Sequence, residues 1–173
     1  MSLSLYDISI PVYLTALNNL LALLDKAKAH ADGEGADFAH WLDARLAADM
    51  HPLTRQIQMV SDAAKGGAAR LAGLEPPAMP DEEITFDQLR DRLVRTIAFI
   101  ETIRPEQVDG RETATIELKF PGRTMSFTGR DFLLNFSLPN FYFHLVTAYG
   151  LLRHKGAPIG KMDFLAGAQM RAA

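Results

Sequence analysis

The chain has 173 residues, of which 48% are hydrophobic and 23% are charged, and these values are typical of one globular domain with its own core. A formal net charge of −3, without any block of like charges, leaves no basic patch for nucleic acid, so we predict no nucleic-acid partner. Because the sequence contains no cysteine, disulfides, thiolate zinc sites and cysteine nucleophiles are excluded.

No stretch of the sequence has the length and apolar character of a membrane span. Asn18, Asn19 and Asp25 interrupt the first apolar run, and Thr147 and Gly150 interrupt the last. The N-terminal residues also lack the basic start and apolar run of a signal peptide. We therefore predict a cytoplasmic protein without membrane association.

A first amphipathic helix is predicted from about Pro11 to Ala29, where apolar residues recur at steps of three and four. Proline is tolerated in the first turn of a helix, so Pro11 is compatible with this start. Residues 31–36 predict a loop, and Asp37 is suited to cap the next helix.

A second helix is predicted by an apolar stripe. Pro52 interrupts this stripe, so we expect a kink or a break near His51. The pair Gly66-Gly67 is expected to weaken the end of the helix, and the proline-rich residues 75–80 predict a linker. The stripe consists of Leu42, Leu46, Met50, Leu53, Ile57 and Val60.

A third helix is predicted to begin at Thr85, because Thr85 and Gln88 have the spacing of a capping box. Asp91 and Arg95 lie one turn apart and are expected to pair on an exposed flank. Pro105 is expected to end the helix. Its predicted buried stripe consists of Phe86, Leu89, Leu93, Ile97 and Ile100.

Between about residues 113 and 128 the apolar period changes from helical to alternating. Residues 113–120 alternate polar and apolar side chains, as a half-buried strand does. Residues 121–124 predict a turn, and residues 125–128 predict a partner strand. Because an isolated hairpin is only marginally stable, its apolar face is expected to lie on the helices.

The last long helix is apolar on most of its faces from Asn140 to Arg153, and Pro139 is expected to divide it from the residues before. A helix of this kind lies in the centre of a core or is shared with a second chain, so we predict a homodimer. Residues 157–173 are predicted to form a C-terminal tail.

The number and spacing of these helices favour a four-helix bundle. We therefore predict an all-α fold of one domain, residues 1–173, with up-and-down helices. A small β-hairpin, about residues 113–128, is inserted between the third and fourth helices.

Three segments have a specific order of residues that helix packing alone does not require. They are residues 49–58 (Asp-Met-His-Pro-Leu-Thr-Arg-Gln-Ile-Gln), residues 127–134 (Phe-Thr-Gly-Arg-Asp-Phe-Leu-Leu) and residues 138–149 (Leu-Pro-Asn-Phe-Tyr-Phe-His-Leu-Val-Thr-Ala-Tyr). Together they resemble a bacterial domain-of-unknown-function family, numbered nineteen ninety-three, which is grouped with the DinB/YfiT-like superfamily of metal-dependent enzymes. The resemblance covers essentially the whole chain. It implies a four-helix bundle, often a homodimer, and no defined activity.

The resemblance also implies a metal site, since DinB-like proteins typically bind a divalent metal through one histidine of the second helix and two histidines four residues apart on the last. The matching residues are His51 and His144, but Ala148 stands four residues after His144 and Asn140 four before it. On a continuous helix His51 would lie about 140° from the apolar stripe and face water. Asp49 lies nearer the stripe and is a weak carboxylate candidate. We therefore expect no metal and no other cofactor.

What remains is a candidate ligand pocket around His144. This residue is predicted to be a partly buried structural histidine or, alternatively, a ligand or general base. Asn140, one turn earlier, is its nearest candidate partner. Tyr142 and Tyr149 can line the same pocket, although aromatic residues at helical spacing more often belong to a core.

Three functions are compatible with this sequence. The leading interpretation is a DinB-like bundle that is not an enzyme, or whose metal site is degenerate, and that binds a small ligand. The alternative is a divalent-metal-dependent enzyme, a thiol-linked hydrolase or transferase, that uses His144 and a ligand from the second helix; it follows from likeness of fold alone. The third is an interaction module that uses the hairpin edge, against which the charges of Glu117 and Lys119 argue.

Overall fold

A computed structural model describes residues 3–166 of the chain. These residues are mostly helical with one small two-stranded antiparallel sheet, which confirms the prediction at this level. In chain order the helices and strands are α1 (Ile10–Gly33), α2 (Ala39–Leu42), α3 (Leu53–Leu71), α4 (Phe86–Glu101), α5 (Pro105–Val108), β1 (Thr115–Phe120), β2 (Arg123–Thr128), α6 (Gly129–Phe132), α7 (Leu138–His154) and α8 (Lys161–Phe164). A π-helical segment (Leu133–Ser137) joins α6 to α7.

Four helices, α1, α3, α4 and α7, are much longer than the other elements. Helix α3 packs against α7 and α4, and α1 also packs against α4 and α7. Their facing sides form one apolar core, in which Leu17, Leu20, Ile57, Leu93 and Leu152 are fully buried. Burial of each such side chain contributes about 1.5–3 kcal/mol relative to leaving it exposed.

The predicted second helix is in fact two helices. Helix α2 has only four residues, residues 43–52 form an irregular connection, and α3 begins at Leu53. The break follows from Pro52, which has extended backbone (φ −69°, ψ 168°) and disfavours helical backbone in the residue before it. The predicted stripe is therefore wrong across the break, where Leu46 is 49% exposed. Because His51 precedes α3, the angle predicted for it on a continuous helix does not apply.

The pair Gly66-Gly67 does not weaken α3, which continues through both glycines to Leu71. Both glycines are buried. A Cβ at Gly67 would lie only 2.5 Å from the hydroxyl oxygen of Tyr13 on α1. The prediction of a weak helix end is wrong because Gly67 allows a close approach between elements instead of ending the helix.

Helix α4 begins as predicted. The Thr85 hydroxyl accepts a hydrogen bond of 3.3 Å from the Gln88 backbone N–H, and the Gln88 side chain accepts one of 3.1 Å from the Thr85 backbone N–H. The exposed pair of Asp91 and Arg95 also forms, at 2.7 Å. Pro105 does not end this helix, because α4 already ends at Glu101. Pro105 instead begins the short helix α5.

Strands β1 and β2 form the predicted hairpin. Their turn contains Gly122 with φ 78°, a left-handed conformation that glycine adopts readily. Ile116 pairs with Phe127, and Leu118 pairs with Met125. Ile116 and Leu118 are buried, so one apolar face of the hairpin is covered, as predicted.

Pro139 does not divide the last helical region. It lies in the first turn of α7, directly after the π-helical segment, and the helical backbone runs through it. Proline has no N–H to donate and its ring crowds the carbonyl four residues earlier, and the wider π turn accommodates both effects. The predicted division is therefore wrong, because the helix widens before Pro139 instead of ending.

The chain after α7 packs back onto the helices. Ala157 and Ile159 are buried, and α8 contacts α1. Residues 167–173 of the predicted tail lie outside the described residues. Within residues 3–166, no helix is both long and apolar enough to cross a membrane.

Candidate functional site

His144 lies on the buried side of α7 and faces Gln56 of α3. Its Nδ1 is 2.8 Å from Oε1 of Gln56, and Nε2 of Gln56 donates a hydrogen bond of 3.1 Å to the backbone carbonyl of His51. Because the amide nitrogen is committed to that carbonyl, the amide oxygen must face the imidazole and accept from it. Nδ1 of His144 therefore carries the proton, and Nε2 of the ring has a lone pair.

The His144 ring is uncharged at neutral pH. Burial lowers the pKa of His144 below its usual range, and electrostatic repulsion from the neighbouring His51 and Arg55 lowers this pKa further. Only 7% of the residue surface is exposed. Within the described part of the chain, no donor reaches Nε2. This nitrogen can accept a hydrogen bond or a proton, or bind a metal ion.

A cavity of about 260 Å³ lies between α3 and α7, and we call it the α3–α7 groove. Small residues of α3 form its middle, and an arginine stands at each end. Apolar side chains of β1, α6 and the π-helical segment cover it, and α7 contributes polar groups. Its lining residues are Arg55, Met59, Asp62, Ala63, Gly66, Gly67, Arg70, Leu118, Phe120, Phe132, Phe136, Ser137, Asn140 and His144.

One end of the groove is fixed by a buried hydrogen bond between α1 and the π-helical segment. The Tyr13 hydroxyl lies 2.7 Å from Oγ of Ser137. Burial raises the pKa of Tyr13 far above its usual range, so this phenol stays neutral. Because Gly67 has no side chain, it leaves room for Tyr13 and Ser137 to lie directly against the backbone of α3.

The predicted pocket residues are distributed over different places. His144 and Asn140 line the α3–α7 groove together. Tyr142 lines a separate cavity of about 470 Å³ between α1 and α7. Tyr149 packs edge-on against Phe164, with ring centroids 5.5 Å apart. Any role of these four residues in ligand binding stays a prediction.

Sequence reasoning missed Gln56, which holds His144, and Arg70, which lines the groove. Gln56 gave no signal, because its partner His144 is 88 positions away in the sequence. For Arg70 the sequence offers only a weak signal, which is its position one helical turn after Gly66. In the structure its Nη1 donates a hydrogen bond of 3.0 Å to the Gly66 carbonyl.

The weak metal candidates do not assemble a three-ligand site. His51 is close enough for its charge to affect His144, but it is exposed in the connection before α3, and Asp49 is exposed there as well. Ala148 is buried where the expected second histidine of α7 would stand. Among residues 3–166, no group of three His, Asp or Glu side chains could hold a metal ion. The residues present therefore do not fit the open three-ligand site that the family resemblance implies.

A second polar cluster is centred on Arg92 of α4, which is fully buried. Its Nη1 donates to Glu83 at 3.0 Å, and its Nη2 lies 2.7 Å from Asp62 and 3.0 Å from Asp81. We call these four residues the Arg92 cluster. Within residues 3–166, Nε of Arg92 is the buried side-chain nitrogen or oxygen that has no hydrogen-bond partner.

Two further cations complete the charge balance of the Arg92 cluster. Arg55 pairs with Asp81, and Lys65 pairs with Asp62. The side chain of Lys65 is only 7% exposed, while that of Asp62 is 37% exposed and lines the α3–α7 groove. Three cations thus face three carboxylates, and the charges compensate one another.

Comparisons with known proteins agree on the family. Residues 5–165 match a family model described as a domain of unknown function, DUF1993. A solved structure of a DinB family member protein from Shewanella denitrificans is 37% identical to this chain and covers 98% of it and 96% of its own length. The two structures superpose with a TM-score of 0.88. No curated protein matches the chain.

Proposed function

The chain belongs to the DUF1993 family, and on this premise we propose that it is a DinB-like four-helix bundle that binds a small organic ligand in the α3–α7 groove. The contacts of α3 with α7 and α4, and of α1 with the same two helices, support the bundle. We further propose that the protein does not catalyse a reaction in this groove.

The observation that carries the proposal is the orientation of His144 in a groove that has both apolar and polar walls. Gln56 holds the ring through Nδ1, so Nε2 is pre-oriented as an acceptor beside Asn140. Ligand sites typically combine apolar walls with a few fixed polar groups of this kind. The partner of His144 is an amide rather than a carboxylate, and the hydroxyl of Ser137 is engaged with Tyr13. These residues therefore do not form the nucleophile–base–carboxylate arrangement of a hydrolase.

The test uses phenylnaphthylamine, an uncharged probe whose fluorescence rises in an apolar site. We expect the protein to bind this probe and Ala63→Leu to weaken binding by about tenfold or more, because the larger side chain fills the middle of the groove. The matched control is Ala98→Leu on the exposed face of α4, which should leave the affinity unchanged. Equal affinity of Ala63→Leu and the unmodified protein would show that the groove does not bind the probe.

A second candidate is the divalent-metal enzyme. One observation favours it: a neutral histidine held through Nδ1 presents Nε2 as metal-ligating histidines do, and His51 lies close by. The missing third ligand argues against it. Elemental analysis of protein purified without chelator tests it: a stoichiometric divalent metal that is lost in His144→Ala would support the metal enzyme. No metal, together with no thermal shift on adding zinc, nickel or manganese, would exclude it.

We also propose that the protein is a homodimer through α7. Phe143 and Val146 lie three residues apart on this helix and are 58% and 52% exposed. Apolar side chains at this spacing form one stripe that a second copy can cover. Analytical ultracentrifugation at micromolar concentration should show a dimer that Phe143→Glu dissociates, whereas Val94→Glu on α4 should leave it intact. A monomer in the unmodified protein contradicts the proposal.

A further inference from the structure

Arg70 differs from the other charged residues of the α3–α7 groove in how its side chain is placed. The guanidinium folds back along α3, and its Nη1 donates a hydrogen bond of 3.0 Å to the Gly66 carbonyl. A Cβ at position 66 would lie 2.6 Å from the same Nη1, so only glycine leaves room for this conformation. Gly66 and Arg70 together therefore hold a cationic group against the floor of the groove.

The charge of Arg70 is not compensated within the described residues. No carboxylate of residues 3–166 lies within ion-pair distance of it, and Gly66 is its one hydrogen-bond acceptor there. By contrast, Arg55 at the other end of the groove pairs with Asp81, and Asp62 pairs with Lys65 and Arg92. Burial lowers the pKa of Arg70, and the charge of Glu75 opposes this effect without reaching ion-pair distance. A half-buried guanidinium of this kind is stabilised by an anion that binds next to it.

The walls beside Arg70 fit an apolar body. The groove-lining residues of α3 from Gly66 to Arg55 span about 16 Å, given the 1.5 Å rise per residue of a helix. Ala63, Leu118, Phe132 and Phe136 line the groove with apolar surface. His144 lies at the far end, where Nε2 can accept a hydrogen bond.

We propose that the ligand of the α3–α7 groove is a small organic anion whose carboxylate, sulfonate or phosphate pairs with Arg70 and whose apolar body lies along Ala63 towards His144. This proposal rests on the small-ligand function proposed above. Arginine offers a planar pair of N–H donors that matches the two oxygens of such a group.

The test compares anilinonaphthalene sulfonate with phenylnaphthylamine, which is the same ring system without the sulfonate. Arg70→Gln should weaken binding of the sulfonate about tenfold or more, since a charge-assisted hydrogen bond is lost, and should leave the neutral probe within about twofold. Gly66→Ala retains the guanidinium but displaces it, so this variant should weaken the sulfonate selectively as well. The unchanged neutral probe also reports that each variant is folded.

The control is Arg111→Gln. Arg111 lines a neighbouring polar cavity together with Arg70 but does not line the groove, so its loss should leave both affinities unchanged. If Arg111→Gln rather than Arg70→Gln weakens the sulfonate, the anion binds in the neighbouring cavity and the proposal is wrong. Equal weakening of both probes by Arg70→Gln also overturns it, because Arg70 then only shapes the groove. If Ala63→Leu weakens neither probe, the small-ligand function itself fails, and this outcome is distinct from the other two.

Discussion

Helix α3 borders two polar regions that differ in how completely their groups are paired. In the Arg92 cluster, which faces α4, each charged group has a partner of opposite charge, and the guanidinium of Arg92 is fully buried. In the α3–α7 groove, Arg70 has unused donors and His144 has an unused acceptor within the described part of the chain. Charges that compensate one another leave no group for a ligand, whereas unused polar groups beside a cavity can bind one. Loss of the central arginine should therefore lower mainly the stability in the Arg92 cluster, and mainly the affinity for an anion in the α3–α7 groove.

The largest effect is expected from Arg92→Met. This substitution leaves Glu83, which is almost buried, without its cation, and Asp62 and Asp81 lose one partner each. Removing one member of a buried ion pair costs about 3–5 kcal/mol of the free energy of unfolding. Urea-induced unfolding followed by circular dichroism measures it.

The matched control for Arg92→Met is Arg95→Gln, three residues later on the same helix. Among residues 3–166, Arg95 pairs only with Asp91, and both side chains are at least half exposed. This loss should stay within about 0.5 kcal/mol. If both variants lose the same small amount, the Arg92 cluster does not stabilise the fold as the comparison requires.

The second effect concerns the floor of the α3–α7 groove and compares two glycines. In Gly67→Ala the new Cβ would meet the hydroxyls of Tyr13 and Ser137, which are buried and hydrogen-bonded to each other, so neither can move cheaply. We expect a loss of about 1–3 kcal/mol in the free energy of unfolding, typical of overpacking.

Gly150→Ala is the control for Gly67→Ala. Gly150 also lies inside a long helix, but a Cβ there meets no atom of the described residues within 4 Å. Alanine should stabilise this position by about 0.5–1 kcal/mol, because it restricts the unfolded chain and favours the helix. Thermal unfolding of both variants gives the comparison, and a stabilising Gly67→Ala would contradict the close approach.

The parts of the fold that the sequence predicted correctly rest on local signals. The capping box of Thr85 and Gln88 and the alternation of residues 113–120 each involve neighbours within a few positions, and both elements are present. The predicted break near His51 is confirmed, since α3 begins only after Pro52. The apolar stripe across that break was predicted wrongly, because apolar residues on the two sides of Pro52 share a helical period by coincidence. Local periodicity does not reveal that Leu46 belongs to an exposed connection.

The site was predictable only in part, because its residues meet across the fold. His144 and Asn140 lie one turn apart and were both candidates from the sequence, and both line the groove. Gln56 is important because it contacts His144, which lies 88 positions away in the sequence on another helix. Gly67 is important because it leaves room for Tyr13, which lies 54 positions away on another helix. No spacing rule applies to such pairs, and only the packing of α1, α3 and α7 brings them together.

The smallest effect is a pH dependence that separates the two regions again. Burial holds the pKa of His144 below its unfolded value of about 6.5, with further lowering by His51 and Arg55. When the pH falls below about 6.5, this histidine takes up a proton in the unfolded chain before it does so in the folded protein, so the free energy of unfolding decreases. The stabilisation is complete above about pH 6.5 and is lost towards lower pH, with a slope of at most about 1.4 kcal/mol per pH unit for one proton.

His144→Gln should remove this contribution, so the difference in unfolding free energy between it and the unmodified protein should shrink as the pH falls from neutral to about 5. His154→Gln, at the exposed end of α7, is the control and should keep the full pH dependence of the unmodified protein. Urea unfolding at several pH values measures both. The guanidinium of Arg92 stays charged throughout this range, so Arg92→Met should keep the slope that depends on His144 even while its total stability is lower. A slope that Arg92→Met removes and His144→Gln retains would assign the proton uptake to the Arg92 cluster and reverse the comparison.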